Sequence, residues 1–156
     1  MTSRLLRLSY KPYPVTEPSE AFGEKLIWWP VVPVRIVDQR MQLKTKSFHA
    51  VVDSGSSACF FHAAFLKPFK IKLTDGIKGS LGGIGKATAI PVYYHDIYIL
   101  VGLDWKIGVR AGFSEELSVA GILGRTGFFD CFRVTFDHSE HPPILEINRI
   151  VHQITH

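Results

Sequence analysis

A small all-β barrel or sandwich with one short helix near its C-terminal end is the fold this sequence predicts. Short runs rich in Val, Ile and aromatic residues recur along most of the chain. Clusters of Gly, Pro, Asp and Ser separate them at close intervals, as turns between strands do. Only residues 125–132 read as a helix of about two turns. The length of 156 residues suits one domain of ordinary size, and 46% apolar with 21% charged residues is enough to build a core.

Residues 1–25 hold Pro12, Pro14 and Pro18 with little periodicity and read as an N-terminal arm, ahead of a domain spanning 26–156. From Leu26 to Val37 the chain is strand-like. Pro30 and Pro33 cannot donate to a ladder, so this is an edge or bulged strand. Asp38-Gln39-Arg40 is a polar turn, and Met41 to Val52 returns as the second arm of a hairpin. Ser54-Gly55-Ser56-Ser57 is a tight turn of small residues, and His62 to Leu66 fits one helical turn ahead of Pro68. Gly79 to Gly85 is glycine-rich between strand-like flanks. Pro91 to Val101 is strongly β-prone, and Trp105 to Val109 is a further strand. Val119 to Leu123 is an apolar run. Arg133 to Phe136 and Ile144 to Ile147 form a closing hairpin around the turn from His138 to Pro143.

Composition narrows the partners. The net charge of +4 is spread over Lys44, Lys46, Lys67, Lys70, Lys72 and Lys78, with neither a basic stripe nor an aromatic stacking pattern, so no nucleic-acid partner is expected. No long apolar run follows Arg4 and Arg7, and no stretch approaches the ~18 apolar residues of a membrane span. Cys59 and Cys131 lie in apolar surroundings and read as small buried hydrophobes, with a disulfide between them left open. A reduced, cytoplasmic compartment is expected. His138 and His141 beside Asp137 and Glu140 read as a solvated hairpin turn rather than a zinc site.

The chemistry concentrates at Ala50-Val51-Val52-Asp53-Ser54-Gly55-Ser56. Here a carboxylate follows an apolar strand directly and opens a turn of small residues. An acid held in apolar surroundings is costly unless it is paired, and small residues let a second backbone or a ligand approach closely. Asp-Ser-Gly also marks ordinary turns, and further segments change the weighing. Val119-Ala120-Gly121-Ile122-Leu123-Gly124-Arg125 follows later, with Phe128-Phe129-Asp130-Cys131-Phe132-Arg133-Val134-Thr135-Phe136-Asp137 after it, and Leu81-Gly82-Gly83-Ile84-Gly85 lies between these and Asp53.

In chain order the segments resemble the catalytic turn, the glycine tip of the flap, the apolar-apolar-Gly segment, and the short helix and last strands of retropepsin-like aspartic proteases. The resemblance covers roughly residues 28–147. It implies a small closed acid-protease barrel that acts as a homodimer on a peptide or protein substrate, with no cofactor and no metal. Aspartic proteolysis uses two carboxylates that share one proton. The chain has a single Asp-Ser-Gly: Asp75-Gly76 lacks the following Ser, and Asp104-Trp105 has no turn residues. The second carboxylate is therefore expected from Asp53 of a second subunit.

By the same resemblance, Ser54 bonds across the two-fold axis, the Gly55 N–H supports the carboxylate, and Ser56 bonds its outer oxygen. Gly82, Gly83, Ile84 and Gly85 would close over the substrate, and Ile122 would line it. The tail Arg149–His156 would add a strand at the dimer interface, as the termini do in the viral enzymes. The sequence also departs from the viral pattern. Ser57 stands where those enzymes have an acid, Lys86 where they have another Gly, and Thr126 where they have Asn or Asp. The missing acid keeps an alternative open: a weak or inactive module of this fold that dimerises or binds peptides.

Overall fold

The computed structural model describes residues 5–15, 23, 25–83, 85 and 88–151. Among these the strands are β1 (Leu5–Ser9), β2 (Lys11–Pro14), β3 (Leu26–Trp29), β4 (Val31–Val37), β5 (Phe48–Val52), β6 (Cys59–His62), β7 (Ile77–Leu81), β8 (Ile90–Val101), β9 (Trp105–Ser114), β10 (Gly121–Leu123), β11 (Phe132–Asp137) and β12 (Ile144–Arg149). By internal contacts the chain divides into one unit of Met1–Val31 with Phe132–His156 and another of Val32–Cys131.

The second unit is the barrel. Its hydrogen-bonded order is β4-β5-β10-β6-β9-β8, and β8 pairs back onto β4 to close it. Closure removes the exposed edges that an open sheet would leave. Period-2 alternation aims one face of each strand inward. Val32, Val34 and Ile36 on β4 are buried, as are Ala50 and Val52 on β5, Ile97, Ile99 and Val101 on β8, and Ile107, Val109, Ala111 and Phe113 on β9. Thr45 is buried but satisfied: its Oγ1 accepts the Ile36 N–H at 3.0 Å. β7 extends the sheet beyond β8 as an antiparallel hairpin, from Ile77 opposite Tyr94 to Leu81 opposite Ile90.

Several elements differ from expectation. The strand expected from Met41 begins only at Phe48. Before it, Asp38 closes a loop by donating its N–H to Leu43 O and accepting the Leu43 N–H on Oδ1. The helix expected over residues 125–132 is a run of turns. Gly127 sits at φ +105° and gives its N–H to Asp130 Oδ2, which interrupts an α-helical ladder. The helical turn expected from His62 is a 3-10 helix over Ala63–Phe69 that runs past the position expected to stop it, with Pro68 inside. His62 Nδ1 accepts the Ala64 N–H at its start, and Lys70 ends it in the left-handed region at φ 55°. A second 3-10 turn covers Leu73–Asp75.

The other unit is a sheet of order β1-β12-β11 with a separate β2–β3 hairpin. Residues 1–25, expected as an arm, thus supply two paired strands. Leu6 and Leu8 stand opposite Ile147 and Leu145, and this pairing outweighs the turn signals of the nearby prolines. β12 is hydrogen-bonded on both sides by its own chain. Of the tail from Arg149, expected to add a strand at the interface, only Arg149 belongs to β12. Residues 152–156 of that tail lie outside the described part. Tyr10 is buried and shares a 3.1 Å hydrogen bond with His138 Nε2, and Trp28 packs edge-on against His141.

Candidate active site

The candidate site is built where the chain crosses over one strand. β10 lies between β5 and β6, parallel to the first and antiparallel to the second. The loop over residues 53–58 must therefore span two strand spacings, about 9–10 Å, across the end of β10. Asp53 is its first residue and continues the ladder, its N–H donating to Leu123 O at 3.0 Å. The Ser56 N–H closes a turn on Asp53 O at 3.2 Å, and the Gly55 N–H reaches the carboxylate Oδ1 at 2.9 Å. Asp53 thus caps its own turn through both its backbone and its side chain. Asp53, Ser54 and Gly55 are exposed in the single chain.

The chain leaving β10 laces this loop down. Arg125 N–H donates to Ser56 O at 2.9 Å, and Thr126 N–H to Ser57 O at 3.0 Å. Thr126 also forms a parallel bridge with Ala58. The backbones meet so closely at Gly124 that a Cβ there would lie 2.1 Å from Ala58 O. Ser56 Oγ donates to Ala58 O at 2.8 Å, rather than to the outer carboxylate oxygen. The nearest acceptor for that hydroxyl lies within its own loop.

Arg125 is the positioning group that sequence reasoning undervalued. With Ser57 in place of an acid, no carboxylate stands four residues after Asp53 to pair with it. Its Nη1 instead donates to Ser54 O at 2.8 Å, holding the peptide next to Asp53. The signal was the Gly124-Arg125 pair itself, but a backbone carbonyl acceptor leaves no mark in sequence. Replacing Arg125 with Ala should cost about 1 kcal/mol, reduced from a buried charged bond by solvent exposure. Calorimetry should then show a midpoint lower by about 2–4 °C. An unchanged midpoint means that the bond contributes nothing.

An apolar wall stands beside the turn. Phe60, Val92 and Leu117 are buried, and Ala58, Leu81, Ile90, Tyr94, Val119 and Ile122 pack half-buried against them. Ile122 is opposite Val51 on one side and Phe60 on the other. Leu81 and Ile90 are the last pair of the β7–β8 hairpin, so that hairpin contributes to the wall. Beyond them Gly82 and Gly83 are exposed and uncrowded, and Gly85 sits at φ +111°. Ile84 lies outside the described residues. The structure therefore joins Asp53, Ser54, Gly55 and Ser56 in one turn and places Ile122 in the wall. It sets Gly82, Gly83 and Gly85 at the end of the hairpin that supplies Leu81 and Ile90.

Neither Cys59 nor Cys131 is in a disulfide. Cys59 follows the loop directly, is fully buried, and has its thiol pushed up to about 11 by burial. At pH 8 iodoacetamide should leave Cys59 unmodified in the folded protein and alkylate it once the chain is denatured, as peptide mass mapping would show. Rapid native labelling would mean that the loop opens.

No family model and no curated protein matches the sequence. Solved structures do match. A retropepsin-like aspartic protease from Rickettsia conorii aligns over 96% of this chain and 95% of its own, with 10% identity and a TM-score of 0.53. An EIAV protease in complex with the inhibitor HBY-793 aligns over 62% of this chain and 82% of its own, with 20% identity and a TM-score of 0.38. The first of these alignments spans both units and nearly the full length of each protein. The chain has the retropepsin-like fold.

Proposed function

We propose that the chain is an aspartic endopeptidase working as a homodimer, with Asp53 of each subunit forming the catalytic pair. The observation that carries this is the Asp53 turn. One carboxylate sits at a strand crossover on this fold, its Oδ1 held by the Gly55 N–H, with small residues following it from Ser54 to Ala58. Two such carboxylates brought together share one proton and titrate as a unit.

The ionised member takes a proton from a water, whose oxygen attacks the scissile carbonyl carbon. The protonated member gives its proton to the carbonyl oxygen. The carboxyl that took the water's proton then gives it to the amide nitrogen, the C–N bond breaks, and one hydroxyl of the intermediate returns its proton to the pair, which is again singly protonated. No acyl-enzyme forms. Ser54 would tie the two turns across the axis. The β7–β8 hairpin with Gly82, Gly83, Ile84 and Gly85 would close over an extended peptide and exclude water, and Ile122 would meet an apolar side chain.

The test is incubation with a diverse peptide library at mildly acidic pH, with and without a statine-type mimic of the tetrahedral intermediate. Cleavage that the mimic abolishes is expected. A dimer that leaves every peptide intact overturns this reading.

A further inference from the structure

We propose that the outer edge of β11 is a self-complementary interface, pairing antiparallel with β11 of a second copy in a register centred on Thr135. This rests on the homodimer proposed above and names the surface and register that would form it.

β11 is the last strand in the order β1-β12-β11, so among the described residues no strand pairs with its outer side. Such an edge is a template for another strand, and proteins usually blunt it with Pro, a bulge or an inward charge. β11, Phe132-Arg133-Val134-Thr135-Phe136-Asp137, carries none of these and spans six residues. Phe136 is 39% exposed, the only exposed large apolar side chain on the strand.

Run against itself about Thr135, the strand matches from Arg133 to Asp137. Arg133 faces Asp137 of the partner subunit, Val134 faces Phe136 of the partner subunit, and the two Thr135 residues meet on the axis. Directly opposed pairs of opposite charge, of apolar groups and of threonines are each favourable. Shifting the sum of paired positions by one sets the apolar face of one strand against the polar face of the other. Shifting it by two in either direction keeps the faces but breaks both Arg–Asp pairs. The other edge offers no such match: β1 run against itself about Arg7 sets two arginines together. Arg7 is moreover already engaged by Glu140 at 2.8 Å and Glu146 at 3.2 Å.

The charges are available. Arg133 has no carboxylate partner among the described residues. Asp137 Oδ1 accepts both the N–H and the hydroxyl of Ser139, at 2.8 and 2.6 Å. The second carboxylate oxygen remains for a guanidinium. The Ser139 bonds hold the Asp137 carboxyl below the usual carboxylate range, so it stays ionised in mild acid.

The test is charge exchange read by sedimentation and by peptide cleavage. Arg133→Asp and Asp137→Arg should each weaken self-association on the order of tenfold or more. An equimolar mixture of the two should restore the dimer, because each strand then meets its opposite. Self-association of either variant at wild-type strength, or a mixture that stays monomeric, overturns the proposal. Amide exchange on the wild type provides a readout free of substitutions: β11 protection should rise with protein concentration. A dimer whose β11 exchanges as in the monomer removes this interface and leaves the endopeptidase reading standing. A dimer that pairs through β11 and cleaves nothing does the reverse.

Discussion

Asp53→Asn should remove cleavage, by roughly 10⁴-fold or more, while the chain still folds and dimerises. The amide keeps an oxygen for the Gly55 N–H, now 2.9 Å from the carboxylate Oδ1, so the turn has no reason to open. What it loses is the ability to take a proton from water and pass one on. A stronger form of the experiment follows from each site needing two chains. If variant and wild type are mixed and allowed to exchange, only pairs of two wild-type subunits remain active. At equal amounts random pairing leaves about one quarter of the activity of the same total protein as wild type, where independent monomers would leave about one half. A decline proportional to the wild-type fraction would mean that one chain carries the whole site. Cleavage by Asp53→Asn alone would exclude Asp53 as the catalyst.

The sequence made the barrel legible wherever strands were long and alternating. β8 carries enough Val, Ile and Tyr for period-2 patterning to show; β9, expected only as far as Val109, runs on to Ser114, and the two pair from Tyr93 opposite Phe113 to Val101 opposite Trp105. The short strands were harder. β6 has four residues, three of them buried, and an apolar run of that length looks the same in a strand, a turn or a core loop. The N-terminal strands were masked by Pro12 and Pro14, which signal turns locally but lie in a two-stranded hairpin with Leu26–Trp29, where a missing donor costs little. The run at 125–131 has a helix-like composition. Only the positive φ of Gly127 and the reach of Asp130, both three-dimensional facts, turn it aside. At the site, Asp53 through Ser56 are contiguous and could be named together. Tyr94, Leu117 and Val119 reach the wall from separate strands and loops, and the carbonyl partner of Arg125 is backbone, which no side-chain pattern reports.

Gly124→Ala should be the most damaging single-methyl change in the barrel. A Cβ at that position would sit 2.1 Å from Ala58 O, 2.7 Å from Ala58 C and 2.8 Å from Ser56 O. These are backbone atoms, so no rotamer change relieves the overlap. Moving either strand means breaking bonds that pin both sides: Asp53 N–H to Leu123 O, Arg125 N–H to Ser56 O and Thr126 N–H to Ser57 O. The expected cost is about 3 kcal/mol, at the upper end for overpacking, and a thermal midpoint lower by about 6–12 °C. The displaced loop carries Asp53, so peptide cleavage should fall even at temperatures where the variant is folded. Gly83→Ala is the matched control: nothing lies within 4 Å of its added methyl. It should leave the midpoint within about 1 °C. If the two alanine variants melt alike, the contact between the strand after β10 and the Asp53 loop is not what holds the site together, and the positioning role of Leu123, Gly124 and Arg125 fails with it.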